Sequence, residues 1–358
     1  MPRGEEVMKR FEEQESIPAL YDDIKAFHQE ISELPGETYY DLLTAWDFHT
    51  YLHKNFQYSP IIYFFAVAER GKSRTGKGMI YVAHRGLHVE SLRGAYLARI
   101  ASYLQAAIFF DVIDIWKKAN RANTSDILLH RFEKGATVPR VVYPDRGPFA
   151  DTVYYKVFGP TIIASNESSP EVLESRAVQI NMPLSRRNFE TDVTPELCLP
   201  LKERLTAFRA RFLGTTMPDA SKPVSGRLGD ILRPLVQVIR LVRPERETAL
   251  IDLIKNLQRQ KRSNRGETVE GSILATIIGL EGEVSRGCLS VQEITATYNQ
   301  GKPEKFQINE RTVGRRLKAM GFQKTHIGTG ISAIFWNDEL INSLCSYYGI
   351  SRGSEIFD

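Results

Sequence analysis

Cysteine is scarce: the 358 residues hold three, Cys198, Cys288 and Cys345, far apart and odd in number. That excludes a disulfide framework, offers no zinc-ligand spacing and fits a reducing compartment. Long apolar runs are lacking too. The most hydrophobic stretches, Ile61 to Ala68 and Ala106 to Phe110, are far too short to span a bilayer. The opening MPRGEEVMKRFEEQE has no apolar signal-peptide core. Internal repeats, heptad tracts and low-complexity segments are absent as well. The net charge is only +4, so any nucleic-acid affinity has to reside in local patches. The expectation is a cytoplasmic protein with no membrane partner.

What is there is an ordinary globular composition, 42% hydrophobic and 25% charged, enough for two or three domains of ~100–200 residues. Residues 5–35 have helical spacing and many charges, which predicts an exposed helical lead-in. Residues 41–55 (DLLTAWDFHTYLHKN) read as an amphipathic helix. Then IIYFFAVA begins at Ile61, a continuous apolar run of the kind buried on both faces of a parallel sheet. A second such strand is AAIFFDVID. A helix is expected over 122–136, starting near Thr124 or Ser125 and stopping at Gly135. Further strands are expected at Val153 to Phe158, at 161–166 (TIIASN) and at 177–183 (AVQINMP). Strands alternating with helices imply an α/β layer with a mainly parallel sheet. From 196 to 260 the pattern is wholly helical, and QRQKRSNRGE reads as a polar, basic linker.

Between the first strand and a helix lies Gly71-Lys72-Ser73-Arg74-Thr75-Gly76-Lys77-Gly78, a match to G-x-x-x-x-G-K. Such a loop cradles phosphates. Glycines let backbone N–H groups approach the oxygens, the helix start adds positive dipole, and the lysine (Lys77 in this register) reaches the β- and γ-phosphates. Gly78 stands where a serine or threonine would ligate magnesium. The second strand ends on Asp111, placed to hold Mg2+ directly or through water. The next residue is Val112, where a glutamate would polarise the attacking water, and Asp114 is the next carboxylate. Asp111 has an alternative reading as a plain helix cap.

The order of motifs, with Val157-Phe158-Gly159-Pro160-Thr161-Ile162-Ile163-Ala164-Ser165-Asn166-Glu167 followed by Leu173-Glu174-Ser175-Arg176-Ala177-Val178-Gln179-Ile180, resembles the ATPase domain of helicase- and primase-associated AAA+ proteins of phages and mobile elements. The resemblance covers about residues 40–260 and lies in motif order and short phrases. It implies ATP and Mg2+ as cofactors. It also implies that Asn166 orients the attacking water and that Arg176 contacts the nucleotide or a neighbouring subunit. Arg227 would be the lid arginine closing over the phosphates. A homo-oligomeric ring is the assembly such proteins usually form; the residues themselves do not show one.

The rest of the chain predicts a winged helix-turn-helix. A first helix lies in GSILATIIGLEGE, a second starts at Ser290, and a third is capped by Asn309 and ended by Gly321. FQKTHIGTGISAIFWN alternates around a glycine turn as a two-stranded wing. Gly301 to Thr325 holds seven Lys or Arg against two Glu. Arg311, Arg315, Arg316 and Lys318 on the third helix, with Lys324 and His326 in the wing, are the candidate DNA contacts, more through phosphates than bases. A protein-contacting module is the alternative.

The expected fold is therefore α/β: a helical lead-in (1–40), an AAA+ P-loop core (41–195), a helical lid (196–260) and a winged helix (267–350). The expected function is an ATP-dependent DNA motor, a helicase or replication initiator of a mobile element, beside a replication partner protein. Two alternatives stay open: a nucleotide-gated DNA-binding regulator or loader with weak or no hydrolysis, and a structural subunit active only beside a partner chain.

Overall fold

The computed structural model describes residues 1–328 and 330–352. They form two compact units, Met1–Lys255 and a second that opens at Asn256. The first unit starts with α1 (Gly4–Glu12), α2 (Ile17–Ile31) and α3 (Glu37–Leu52). The lead-in is not an exposed one: Leu20, Tyr21, Ile24, Phe27 and Ile31 of α2 are buried. Nor is α3 amphipathic, because every residue from Tyr40 to Leu52 is buried. A helix buried all round needs its polar groups satisfied. Asp41 meets that need by accepting from the Tyr21 hydroxyl at 2.6 Å, from Lys25 at 3.1 Å and from the Arg246 guanidinium. Burial pushes its pKa up, but these three donors outweigh burial and hold it below the usual carboxylate range.

The sheet follows. Its elements run β1 (Ile61–Phe65), α4 (Lys72–Val82), β2 (Leu87–Val89), α5 (Gly94–Arg99), β3 (Ile108–Asp111), α6 (Ile115–Arg121), α7 (Ser125–His130), β4 (Thr137–Val141), β5 (Thr152–Lys156), β6 (Thr161–Ser165), α8 (Glu171–Glu174) and β7 (Ala177–Asn181). Five strands pair in the order β2-β3-β6-β1-β7, every neighbour parallel. All therefore end on one edge, with β6 inserted between the strand that enters the glycine-rich segment and the strand that ends on Asp111. The strand expected at 153–158 is not part of this layer. It is β5, half of an antiparallel hairpin with β4. The reason is visible in its side chains: Tyr155 is buried and Tyr154 exposed, the alternation of a half-buried ribbon.

The helix expected over 122–136 stops at His130, because the backbone beyond it is used by neighbours. The Arg131 carbonyl accepts from Gly159 N–H, the Phe132 carbonyl accepts from Ser59 N–H, and Lys134 N–H donates to the Gln57 carbonyl. The fully buried Arg131 guanidinium donates to the carbonyls of Ala106, Val157 and Pro160 and to the Thr161 hydroxyl, at 2.6–3.2 Å. No described carboxylate pairs with it, and burial lowers its pKa to about 9. Gly159 makes room, since a Cβ there would lie 2.8 Å from a guanidinium nitrogen.

Three long helices complete the walk: α9 (Pro195–Phe212), α10 (Gly226–Val242) and α11 (Glu247–Gly266). α9 packs on α1 and α4, and α10 on α3. The expected linker at 258–267 is helical up to Gly266 instead, inside α11, whose residues include no proline and no interior glycine.

The second unit contains α12 (Val269–Gly279), β8 (Cys288–Ser290), α13 (Val291–Asn299), α14 (Glu310–Ala319), β9 (Lys324–Ile327), β10 (Ile331–Phe335) and α15 (Asp338–Tyr348). Ile273, Ile277, Leu289, Ile294, Val313, Leu317 and Ile334 make its core. The Ser290 hydroxyl accepts from the N–H groups of Gln292 and Glu293, and Asn309 accepts from Thr312 N–H, so both caps form as expected. The sheet has three strands rather than two: β8 pairs with β10 on the side away from β9. Thr329, in the glycine turn of the expected wing, lies outside the described residues. Among the described residues no helix is long and apolar enough to cross a membrane.

Candidate functional site

β1 ends at Phe65, so Ala66 to Gly71 form the loop and Lys72 opens α4. Gly71 sits at φ 76°, a left-handed turn that glycine adopts without penalty. The first bond of α4 runs from Thr75 N–H to the Gly71 carbonyl, at 2.9 Å. The N–H groups of Lys72, Ser73 and Arg74 therefore face out of an open helix start, where the dipole is positive. Lys72 is 7% exposed, and its ammonium donates to the carbonyls of Ala66 at 2.8 Å and Val67 at 2.6 Å. The lysine thus curls back over its own loop. Burial lowers its pKa, and the charge of Asp111 works against that.

Ser73, one residue on, lies near enough to the Asp111 carboxylate to help hold its pKa low. Burial raises the pKa of Asp111, but His88, Ser73 and the charge of Lys77 outweigh it, so the carboxyl is held low. His88 comes from β2, beside β3; its Nε2 lies 3.7 Å from Asp111 Oδ2 and 3.9 Å from Glu90 Oε1. The imidazole stacks on Phe109 with centroids 5.0 Å apart. Beside Gly71 opens a cleft of about 410 Å³, lined in part by Glu69, Arg70, Arg74, Arg187 and Phe189.

This arrangement shifts the sequence-derived loop by five residues. The segment that wraps the lysine is Ala66-Val67-Ala68-Glu69-Arg70-Gly71-Lys72-Ser73. Thr75, Gly76, Lys77 and Gly78 lie within α4. Thr75 is buried, its hydroxyl donating to the Gly71 carbonyl. A Cβ at Gly76 would run into the Phe109 ring, and one at Gly78 into Ile31, so these glycines bring α4 close to β3 and α2. Arg74 donates to the Ile31 and Thr191 carbonyls, away from the loop. Sequence reasoning missed Lys72 and Ser73 because it ran the apolar strand on to Ala68. The available signal was the hydroxyl that directly follows a Gly-Lys pair.

The other expected site residues divide between the two edges of the sheet. Asn166 follows β6 and is exposed on the edge that carries Asp111 and the loop. Asp114 is exposed in a left-handed turn at φ 53° that starts α6, and Val112 is buried. Arg176 precedes β7, and its carbonyl accepts from Ile61 N–H at the start of β1. It therefore sits on the opposite edge, a strand length of roughly 16 Å from its own loop. There its guanidinium donates to the Leu129 carbonyl and lies 5.0 Å from the Phe132 ring centroid. Arg227, in the first turn of α10, is beside it, donating to Ser175 Oγ at 3.2 Å. Neither arginine lies on the edge that carries Ala66 to Ser73 of its own chain.

In the second unit Arg311, Arg315 and Lys318 of α14 are exposed, as are Lys324 and His326 of β9. Lys324 lies against Gly314, where a Cβ would be 2.5 Å from its ammonium. Arg316 differs from its neighbours: it is ion-paired to Glu270 of α12.

No protein-family model matches the chain, and no curated protein sequence matches it. Among solved structures, the apo A form of the NrS-1 C-terminal region aligns over 88% of this chain and 74% of its own, at 14% identity and a TM-score of 0.42. The SCCmec type IV Cch active helicase aligns over 86% and 66%, at 14% identity and 0.38. Cdc6p from Pyrobaculum aerophilum aligns over 88% and 94%, at 10% identity and 0.25. At such scores the likeness carries no chemistry, and the loop and its neighbours have to be judged on their own geometry.

Proposed function

We propose that the first unit is an AAA+ type P-loop ATPase core and that the second is a winged-helix module that binds DNA. One observation supports the first half above all others: Lys72 folded onto the carbonyls of its own loop, with Asp111 close enough for its charge to bear on the ammonium. An ammonium over a nest of outward N–H groups is a site for phosphate oxygens, which would replace the two carbonyls. A serine hydroxyl and a carboxylate near each other are hard oxygen donors of the kind Mg2+ takes, with the remaining positions left to water and phosphate. Ser73 and Asp111 would hold the ion, which supplies charge to offset that of the phosphates. Asn166, on the same edge, would orient the attacking water. The cleft beside Gly71 would take the base and ribose.

Arg176 and Arg227 lie on the edge away from Ala66 to Ser73 of their own chain. We assign Arg176 to a trans contact with the phosphates of a neighbouring copy, in a homo-oligomer whose ring form is part of the proposal. The exposed cations of α14 and β9 suit a phosphate backbone. Together these features favour a motor of DNA replication, a helicase or initiator. A buried valine at position 112, where no proton can be taken, favours the second reading, a nucleotide-gated DNA-binding regulator.

The test is ATP binding by calorimetry. Lys72→Ala is expected to weaken binding at least tenfold, since hydrogen bonds to a charged group are worth ~1.5–3 kcal/mol. Lys77→Ala is expected to leave affinity unchanged. The reverse pattern would return the loop to residues 71–78 and discard this assignment. ATP turnover that rises with DNA and with protein concentration selects the motor; binding without turnover selects the regulator.

A further inference from the structure

Val112 leaves the position after Asp111 without a carboxylate, and the strand order shows where else one can stand. β2 is the outer neighbour of β3, and the pair is parallel with Val89 beside Phe110. The next step along β2 therefore sets Glu90 beside Asp111, on the edge that carries the phosphate loop. The Glu90 side chain is 74% exposed, so its carboxylate meets water. His88 Nε2 stands between the two acids, 3.9 Å from Glu90 Oε1 and 3.7 Å from Asp111 Oδ2, and its ring is fixed by stacking on Phe109. That nitrogen is buried and has no hydrogen-bond partner of its own, so both carboxylates are the charges it can answer to.

The other acids near this edge are less well placed. Asp114 follows a left-handed turn that leads into α6. Glu167 follows β6, which lies on the other side of β3 from β2, and its backbone is held by the Tyr63 hydroxyl on its carbonyl at 2.7 Å.

We propose that Glu90, carried on β2 rather than on the strand of Asp111, is the general base of ATP hydrolysis, with His88 as the positioning residue that aims it. The inference rests on the P-loop reading above. In the step, the oxygen of a water attacks the γ-phosphorus and the bond from that phosphorus to the β–γ bridging oxygen breaks. One proton of the water passes to the Glu90 carboxylate, ADP leaves with the bridging oxygen, and the proton is then released to solvent.

The experiment measures ATP turnover and nucleotide binding on the full chain for Glu90→Gln, Asp114→Asn, Glu167→Gln and Lys72→Ala. Glu90→Gln is expected to lose ~10²–10⁴-fold in turnover, the range a general base supplies, with ATP affinity unchanged. The nucleotide recovered from that variant after incubation should be ATP, and from the wild type ADP. Asp114→Asn and Glu167→Gln should turn over normally. Wild-type turnover in Glu90→Gln overturns the proposal, as does a comparable loss in either other acid variant with Glu90→Gln spared. A wild type that binds ATP but never hydrolyses it overturns it too. Unchanged ATP binding in Lys72→Ala is a different failure: it removes the P-loop reading itself.

Discussion

A methyl group added at Gly76 would collide with the Phe109 ring, and one added at Gly78 with the Ile31 side chain. Gly76→Ala should therefore destabilise the first unit by ~1–3 kcal/mol, the usual penalty of overpacking, in urea or thermal unfolding. Its effect on ATP affinity should be secondary to that loss, with binding restored at low temperature where the fold is intact. Arg131 is the opposite case, a large group whose removal leaves a hole and takes a donor from four acceptors, of which the Pro160 carbonyl keeps the Ile108 N–H. Arg131→Met is expected to lower stability by at least ~3 kcal/mol, since each buried unsatisfied group costs ~1–3 kcal/mol. Retention of the wild-type melting temperature would show that these carbonyls find other partners.

At the scale of elements, α14 presents Arg311, Arg315 and Lys318 to solvent while Arg316 is held by Glu270. Reversing the first three should weaken DNA binding and reduce the slope of log affinity against log salt by about one for each phosphate no longer neutralised. Arg316→Ala should act mainly on folding, through the Glu270 pair, and leave that slope nearly unchanged. Fluorescence anisotropy across a salt series distinguishes the two. Which elements were legible follows from their length and burial. β1, β3 and β6 were readable because strands buried on both faces are nearly unbroken apolar runs, and β7 from its apolar residues at 177, 178 and 180. β2 was missed, since three residues carry no period. β5 was found but put in the wrong sheet, because pairing partners are not written in a strand's own residues. The caps at Ser290 and Asn309 were legible, since a capping side chain bonds within three residues of itself. In the candidate site Asp111 and Asn166 could be read from strand ends. Lys72 and Glu90 could not: one depended on where β1 stops, the other on which strand lies beside β3.

Across the whole molecule, acid should weaken the first unit. Burial lowers the pKa of His49 well below the ordinary value, that of His53 to about 4 and that of His84 to about 3. All three are neutral in the folded chain, whereas in the unfolded chain they titrate near 6.5. Between about pH 6.5 and 4 the unfolded state binds more protons, so stability is present above 6.5 and declines as pH falls through that window. Each group contributes up to ~1.4 kcal/mol per pH unit there. The melting temperature should fall between pH 7 and 5, and His53→Asn should make the fall shallower. A flat profile would mean that these rings reach water.

The Arg131 guanidinium carries a consequence for the folding pathway. Its acceptors come from two stretches that are far apart in the unfolded chain, Ala106 before β3 and the segment 157–161 between β5 and β6. Its full burial needs both stretches gathered around it, so the cation sheds the last of its water late. The interaction should then be absent from the transition state. Replacing Arg131 should speed unfolding while leaving the refolding rate nearly as it was, a φ-value near zero in a chevron experiment. The buried charge would thus act as a latch on the native state, setting how long the first unit stays folded rather than how fast it gets there.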